Sequence, residues 1–131
     1  LKPFLEKVKS HNPKILDEHP LVNRPWGNYK ILHESSTFKI KSIIVKPKHR
    51  LSLQLHKFRN EHWVVVSGKA KVRKGDSVFY LNENESTYIK VNEKHQLEND
   101  TEDEIEIIEV SIGSKVIEED IVRFGDDYGR L

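Results

Sequence analysis

A chain of 131 residues with a formal net charge of +1 and no cysteine has the length of one domain, and it excludes disulfides, thiolate metal ligands and cysteine nucleophiles. No apolar run approaches the roughly 20 residues of a membrane span and no signal peptide is visible, so a cytoplasmic protein without a membrane partner is expected. The charge is uneven, +9 over residues 1–60 and −8 over 61–131. The basic residues of the first half alternate with strand-type apolar ones (Phe38, Lys39, Ile40, Lys41), the pattern of a sheet with one wet face that helps attract an anionic small substrate, and not of a nucleic-acid arm.

In chain order, residues 2–10 place Phe4, Leu5 and Val8 on one side of a short amphipathic helix that His11-Asn12-Pro13 ends. Residues 1–22 therefore read as a linker with an N-terminal helix, and 23–131 as the domain. Arg24-Pro25-Trp26-Gly27 is a turn with a large apolar anchor, and strands begin at Tyr29. Residues 37–46 form a long strand broken by Pro47. Residues 69–73 and 77–81 make a hairpin around Gly75. Strands at 85–89, 95–98 and 104–112 complete about eight to ten short strands, the pattern of an antiparallel sandwich or barrel. The acidic stretch 118–123 suggests a short C-terminal helical turn. Nothing alternates strands with long helices, so the class is all-β.

The stretch from Gln54 to Gly68 carries the chemistry. It reads as strand, polar turn, strand. Residues two apart on a strand share a face, so Gln54 and His56 point the same way, and Glu61 opens the next strand toward the same space. His95 begins a later strand. Two imidazoles, a carboxylate and an amide oxygen suit a borderline-hard divalent ion: zinc, manganese, cobalt, iron or nickel.

These residues resemble the two cupin motifs, G-x5-H-x-H-x4-E-x6-G and P-x-G-x2-H-x3-N. The first appears here as Lys48, Gln54, His56, Glu61 and Gly68, the second as Lys90, Asn92, His95 and Asn99. Asn92 replaces a glycine, and asparagine tolerates the left-handed backbone that glycine supplies. With RPWGNY (24–29), LSLQLH (51–56), RNEHWVVVSGKA (59–70) and EEDIVRFGDDYGR (118–130), the chain resembles the type II phosphomannose isomerase domain along almost its whole length.

That resemblance implies a double-stranded β-helix, or jelly roll, and a Gln54, His56, Glu61, His95 ligand set holding a divalent ion, zinc first. It implies interconversion of mannose 6-phosphate and fructose 6-phosphate, feeding GDP-mannose and polysaccharide biosynthesis. It also implies a preceding guanylyltransferase domain in a longer chain, and a homodimer, since cupins often pair through their sheets.

The reaction needs a base and a phosphate anchor. Ile105, Ile107 and Glu109 share a strand face. If that face lines the barrel, Glu109 is a desolvated carboxylate and the base; a shifted register would leave it in solvent. Lys41 is the second candidate base. Arg59, in the turn between His56 and Glu61, is the first choice for the phosphate, followed by Arg123 and Arg130. Trp26, Trp63 and His62 read as structural, and Tyr88 is a candidate sugar contact. Two rival readings stand: a non-catalytic sugar-phosphate-binding or regulatory cupin, and a cupin dioxygenase using Fe(II).

Overall fold

The computed structural model of the chain describes residues 20–125; the N-terminal helix expected at 2–10 and Arg130 lie outside them. Twelve strands run in chain order: β1 (Leu21–Arg24), β2 (Gly27–Glu34), β3 (Phe38–Val45), β4 (His49–Arg50), β5 (Leu53–Leu55), β6 (Arg59–Ser67), β7 (Ala70–Lys74), β8 (Ser77–Leu81), β9 (Ser86–Ile89), β10 (His95–Asn99), β11 (Ile105–Gly113) and β12 (Val122–Gly125). All pairings among them are antiparallel. They form two six-stranded sheets, β1-β2-β3-β11-β6-β9 and β12-β5-β10-β7-β8 with β4 beside β10. Since non-consecutive strands are neighbours in both sheets, the chain winds between them and closes a core.

The core follows from period-two alternation. On β6 the inward residues are Arg59, Glu61, Trp63 and Val65; on β11 they are Ile105, Ile107, Glu109 and Ser111. One end of the barrel is apolar, packed by Val45, Val65, Val72, Leu97, Ile105 and Ile107. Toward the other end the same strands turn charged side chains inward, and there the candidate site lies. Trp26 and Trp63 belong to the core, as expected.

Two sequence expectations are corrected here. The alternating lysines of β3 do not mark a wet face: Lys39 and Lys41 point inward and are 3% and 7% exposed, with Phe38 and Ile40 on the other side. Glu118 makes this affordable, meeting Lys39 Nζ at 2.7 Å and Lys41 Nζ at 2.9 Å. The helical turn expected at 118–123 is a single turn at Glu118–Glu119 that runs into β12. The β-branched Val122 continues as strand because β5 offers it a free edge, pairing Val122 with Leu55 and Arg123 with Gln54.

Backbone geometry supports the two motifs. Lys48 and Asn92, which stand where the cupin pattern has glycine, adopt φ of 60° and 66°. Gly113 is fixed by packing: a Cβ there would sit 2.0 Å from the carbonyl oxygen of Phe58 and 2.7 Å from the Arg59 Cα. Gly113→Ala should therefore push β11 away from the start of β6 and cost about 1–3 kcal/mol, read as a lower urea midpoint with an unchanged slope.

Candidate metal centre

His56 follows β5, Glu61 lies on β6 and His95 opens β10, so three strands from both sheets meet at one point. Their ligand atoms all lie within 4.8 Å of one another, and all three residues are buried. Gln54 lies on β5 directly across from His95, and its Oε1 accepts the Ser52 hydroxyl at 3.2 Å. Gln54 and His56 line one cavity together with Arg24, Tyr29, Lys41, Arg59, Glu109 and Arg123.

Hydrogen bonds fix which ring nitrogen of each histidine faces the cluster. His56 Nδ1 donates to the Asp120 carbonyl oxygen at 2.6 Å, and His95 Nδ1 donates to the Glu93 carbonyl oxygen at 2.8 Å. A carbonyl accepts only, so each Nδ1 carries a proton and each Nε2 is the ring nitrogen that faces the cluster. The His95 Nε2 is buried and finds no hydrogen-bond partner among the described residues, with Glu61 Oε1 3.8 Å away. Such an orphan is expensive unless something binds it. His56 Nε2 stands 3.1 Å from Glu61 Oε2, and in the metal-free chain the Arg59 guanidinium reaches both, one terminal nitrogen lying 3.3 Å from His56 Nε2 and Nε donating to Glu61 Oε2 at 2.9 Å. Two imidazoles and a carboxylate gathered within 4.8 Å, one ring nitrogen left without a hydrogen bond, are a donor set that fits a divalent ion.

Electrostatics agree. Burial alone would push the Glu61 carboxyl up, but the hydrogen bond and charge of His56, with His95 and Arg59 beside it, hold it well below the usual carboxylate range. Burial presses His56 down as well, yet its bond to Glu61 prevails and the imidazole is raised. Burial dominates at His95, which is lowered, and that favours an unprotonated Nε2. Trp63 Nε1 donates to Glu61 Oε1 at 3.0 Å, a positioning contact beyond the packing role expected for it.

Glu109 faces inward, in the register that suits a base. Burial, followed by the charge of Glu61, pushes its carboxyl up to about 7; Ser111 Oγ donates to it at 3.3 Å. Lys41 lines the same cavity, but its Nζ is a donor engaged by Glu118. Arg59 does not stand at the mouth as a free anchor. It is 6% exposed, with Nε on Glu61 Oε2 at 2.9 Å and one terminal nitrogen on the Ile117 carbonyl oxygen at 2.9 Å. Its position, first on the strand that carries Glu61, turns it inward alongside that carboxylate. Arg123 does line the cavity, and its Nε is buried without a partner among the described residues.

Tyr88 does not line the cavity that Gln54 and His56 share. β9 turns Ile89 inward and Tyr88 outward, where it lies against His62 at 4.7 Å between ring centroids. Sequence reasoning missed Arg24, whose guanidinium lies 5.5 Å from the Tyr29 ring centre at the cavity wall, and Asp120. Their signal was membership in the two stretches 24–29 and 118–130, which periodicity alone does not distinguish from surface turns.

The sequence profile of the family described as mannose-6-phosphate isomerase C-terminal matches residues 11–126. The chain is 46% identical over 130 residues to the xanthan biosynthesis protein XanB of Xanthomonas campestris pv. campestris, covering 99% of this chain and 28% of that protein. It is 43% identical to the mannose-1-phosphate guanylyltransferase ManC of Salmonella typhimurium, over 100% of this chain and 27% of the relative. The chain thus spans under a third of the length of these curated relatives. Among solved structures, an uncharacterized conserved protein with a double-stranded β-helix domain from Klebsiella pneumoniae superposes with a TM-score of 0.70 at 15% identity, covering 85% of this chain and 95% of that one. At that identity the likeness concerns the fold, which is the cupin double-stranded β-helix.

Proposed function

The chain belongs to the mannose-6-phosphate isomerase C-terminal family, and from that premise we propose that it is the isomerase domain of a longer protein, interconverting mannose 6-phosphate and fructose 6-phosphate with a bound divalent ion. The observation that carries this reading is a buried carboxyl raised to about 7, Glu109, in one cavity wall with His56 and Gln54, while Glu61, whose charge acts on it, lies 3.8 Å from the Nε2 of His95 that has no hydrogen bond among the described residues.

Gln54, His56, Glu61 and His95 would hold the ion, zinc first by donor set, with cobalt, manganese, nickel or iron as alternatives. When bound, it supplies Lewis-acid polarisation of the sugar oxygens, worth several kcal/mol. The chain's own residues do the rest. Glu109 takes the proton from C2 of the open-chain aldose and returns it to C1, while the hydroxyl proton passes from O2 to O1, so atoms balance and no electrons enter or leave. Lys41, held by Glu118, keeps a positive charge at the wall where negative charge develops on substrate oxygen. Arg59 holds Glu61. Arg123, with Arg24 nearer the surface, is the phosphate anchor that Arg59 was expected to be.

Arg123→Ala should raise KM about tenfold or more and leave kcat within a few-fold, because a phosphate remote from C1 and C2 is held equally in ground and transition state. A fall in kcat at unchanged KM would remove Arg123 from that role.

The relatives named for guanylyltransferase activity are more than three times this chain's length. A preceding guanylyltransferase domain, and a cytoplasmic place in GDP-mannose supply, belong to the same proposal. No helix among the described residues is long and apolar enough to cross a membrane. A homodimer would find its most suitable surface on the outer face of β6, β9 and β11, where Val64, Val66, Tyr88 and Ile112 are exposed.

The test is turnover of mannose 6-phosphate by chelator-stripped chain, before and after Zn²⁺ or Co²⁺ is restored. Metal-dependent appearance of fructose 6-phosphate supports the isomerase. Binding without conversion in the loaded chain supports the non-catalytic sugar-phosphate module instead.

A further inference from the structure

The segment between β11 and β12 meets several of the buried charged residues around the candidate centre. Val116 is buried, the Ile117 carbonyl accepts from Arg59, and Glu118 bridges Lys39 and Lys41. The densest set of contacts is at Asp120, an aspartate only 6% exposed. Its Oδ1 accepts the Lys57 amide at 2.8 Å and its Oδ2 the Phe58 amide at 3.0 Å, while its own carbonyl accepts His56 Nδ1 at 2.6 Å.

One residue therefore grips the turn after His56 by two amides and the His56 ring by a third bond. The two amide bonds fix Asp120 relative to residues 57 and 58, and that fixes where its carbonyl stands relative to the ring of residue 56. A carboxylate meeting two successive backbone N–H groups is a charge-assisted, bidentate contact, far more constraining than packing. Without it, the carbonyl is placed only by contacts on neighbouring residues, the Glu118 bridge and the pairing of Val122 with Leu55, and the imidazole gains freedom to rotate or to take its other tautomer.

We propose that Asp120 is the positioning residue of the metal centre: its carboxylate clamps the 57–58 turn so that its carbonyl holds His56 with Nε2 facing the ion. The proposal rests on the metal-dependent reading above. Second-sphere partners of a ligating histidine typically contribute about 10- to 100-fold in metal affinity. The centre is thus completed by a segment 64 residues away in sequence from the histidine it orients, and the C-terminal strap belongs to the site.

The test compares Asp120→Ala and Asp120→Asn with the parent chain, and with Glu119→Gln as a control on the same strap. Zn²⁺ and Co²⁺ dissociation constants are measured by calorimetry and by the cobalt absorption bands. The tautomer of His56 is read from its ring ¹⁵N shifts in the metal-free chain at a pH where the ring is neutral. The expected result is a dissociation constant raised about 10- to 100-fold for Asp120→Ala, a smaller rise for Asp120→Asn, which keeps one acceptor oxygen, and a loss of the single Nδ1–H tautomer. Glu119→Gln should match the parent. If a folded Asp120→Ala chain keeps the parent's affinity and His56 shifts, the proposal is overturned; should that variant not fold, the same readouts on Asp120→Asn decide. If the parent binds neither ion, the metal reading fails, and the ¹⁵N shifts still decide whether Asp120 sets the His56 tautomer.

Discussion

Glu61→Gln is expected to abolish metal binding and turnover, and to remove about 3–5 kcal/mol of folding stability from the metal-free chain. The replacement changes one atom, so packing is preserved and the effect is electrostatic. Arg59, His56 and Trp63 all point hydrogen-bonding groups at this carboxylate, at 2.9, 3.1 and 3.0 Å. Glutamine offers one oxygen and turns an amide donor toward at least one of those donors. The Arg59 guanidinium, 6% exposed, would keep its charge with Glu61 no longer there to balance it. Because the Glu61 carboxyl is held well below its ordinary range, its contribution is present above the unfolded chain's carboxylate pKa and is lost as pH falls through the lowered value. The variant should therefore lack the corresponding part of the parent's acid destabilisation. Urea unfolding at pH 7 and pH 4, with Zn²⁺ titration at pH 7, checks both halves. A variant with parental stability and zinc affinity would show that the ligand set does not include Glu61.

How much of this was legible beforehand depends on range. The strands were readable because each carries its own alternation: β3 stops before Pro47, and β7 and β8 flank Gly75. His56, Glu61 and His95 were readable because side-chain type and spacing name a metal donor wherever it lies, and the register that sets Gln54 opposite His95 brought them together. The direction of a charged side chain was harder. Lys39 and Lys41 alternate as a solvated face would, and only Glu118, 77 residues further on in sequence from Lys41, makes burying them tolerable. Arg59 looked free for phosphate for the same reason: its partners include the Ile117 carbonyl, a backbone group with no sequence signature. Residues 118–123 carry the composition of a helix end, but only Glu118–Glu119 turns, and the edge of β5 made Val122 and Arg123 strand. In each case the deciding partner is distant in the chain, and local pattern is silent about it.

Glu109→Gln should lower kcat about 10²- to 10⁴-fold with KM little changed, the loss associated with a general base, while leaving bound metal in place. The same substitution should make the metal-free chain more stable at alkaline pH. In the fold the carboxyl is raised from 4.5 to about 7, chiefly by burial and next by the charge of Glu61. A raised carboxyl pKa favours the folded state fully below the unfolded value, and that advantage disappears as pH climbs through about 7. At about 1.4 kcal/mol per unit, ionising Glu109 inside the barrel costs on the order of 3 kcal/mol. Glutamine never ionises, so parent and variant should unfold alike near pH 4 and diverge by pH 8, the variant being the more stable. Catalysis runs the other way. The base must be the carboxylate, so the parent's kcat/KM falls as pH drops through this pKa, which a cation held by Glu61 draws below its metal-free value. The residual activity of the variant should lack that limb. A carboxyl kept only for packing would still show the stability crossover, which burial alone produces, but not the missing limb, and Lys41 would then be the remaining candidate for the proton carrier. Both signatures together would mean that the chain gives up folding stability at working pH to keep a desolvated base facing its sugar.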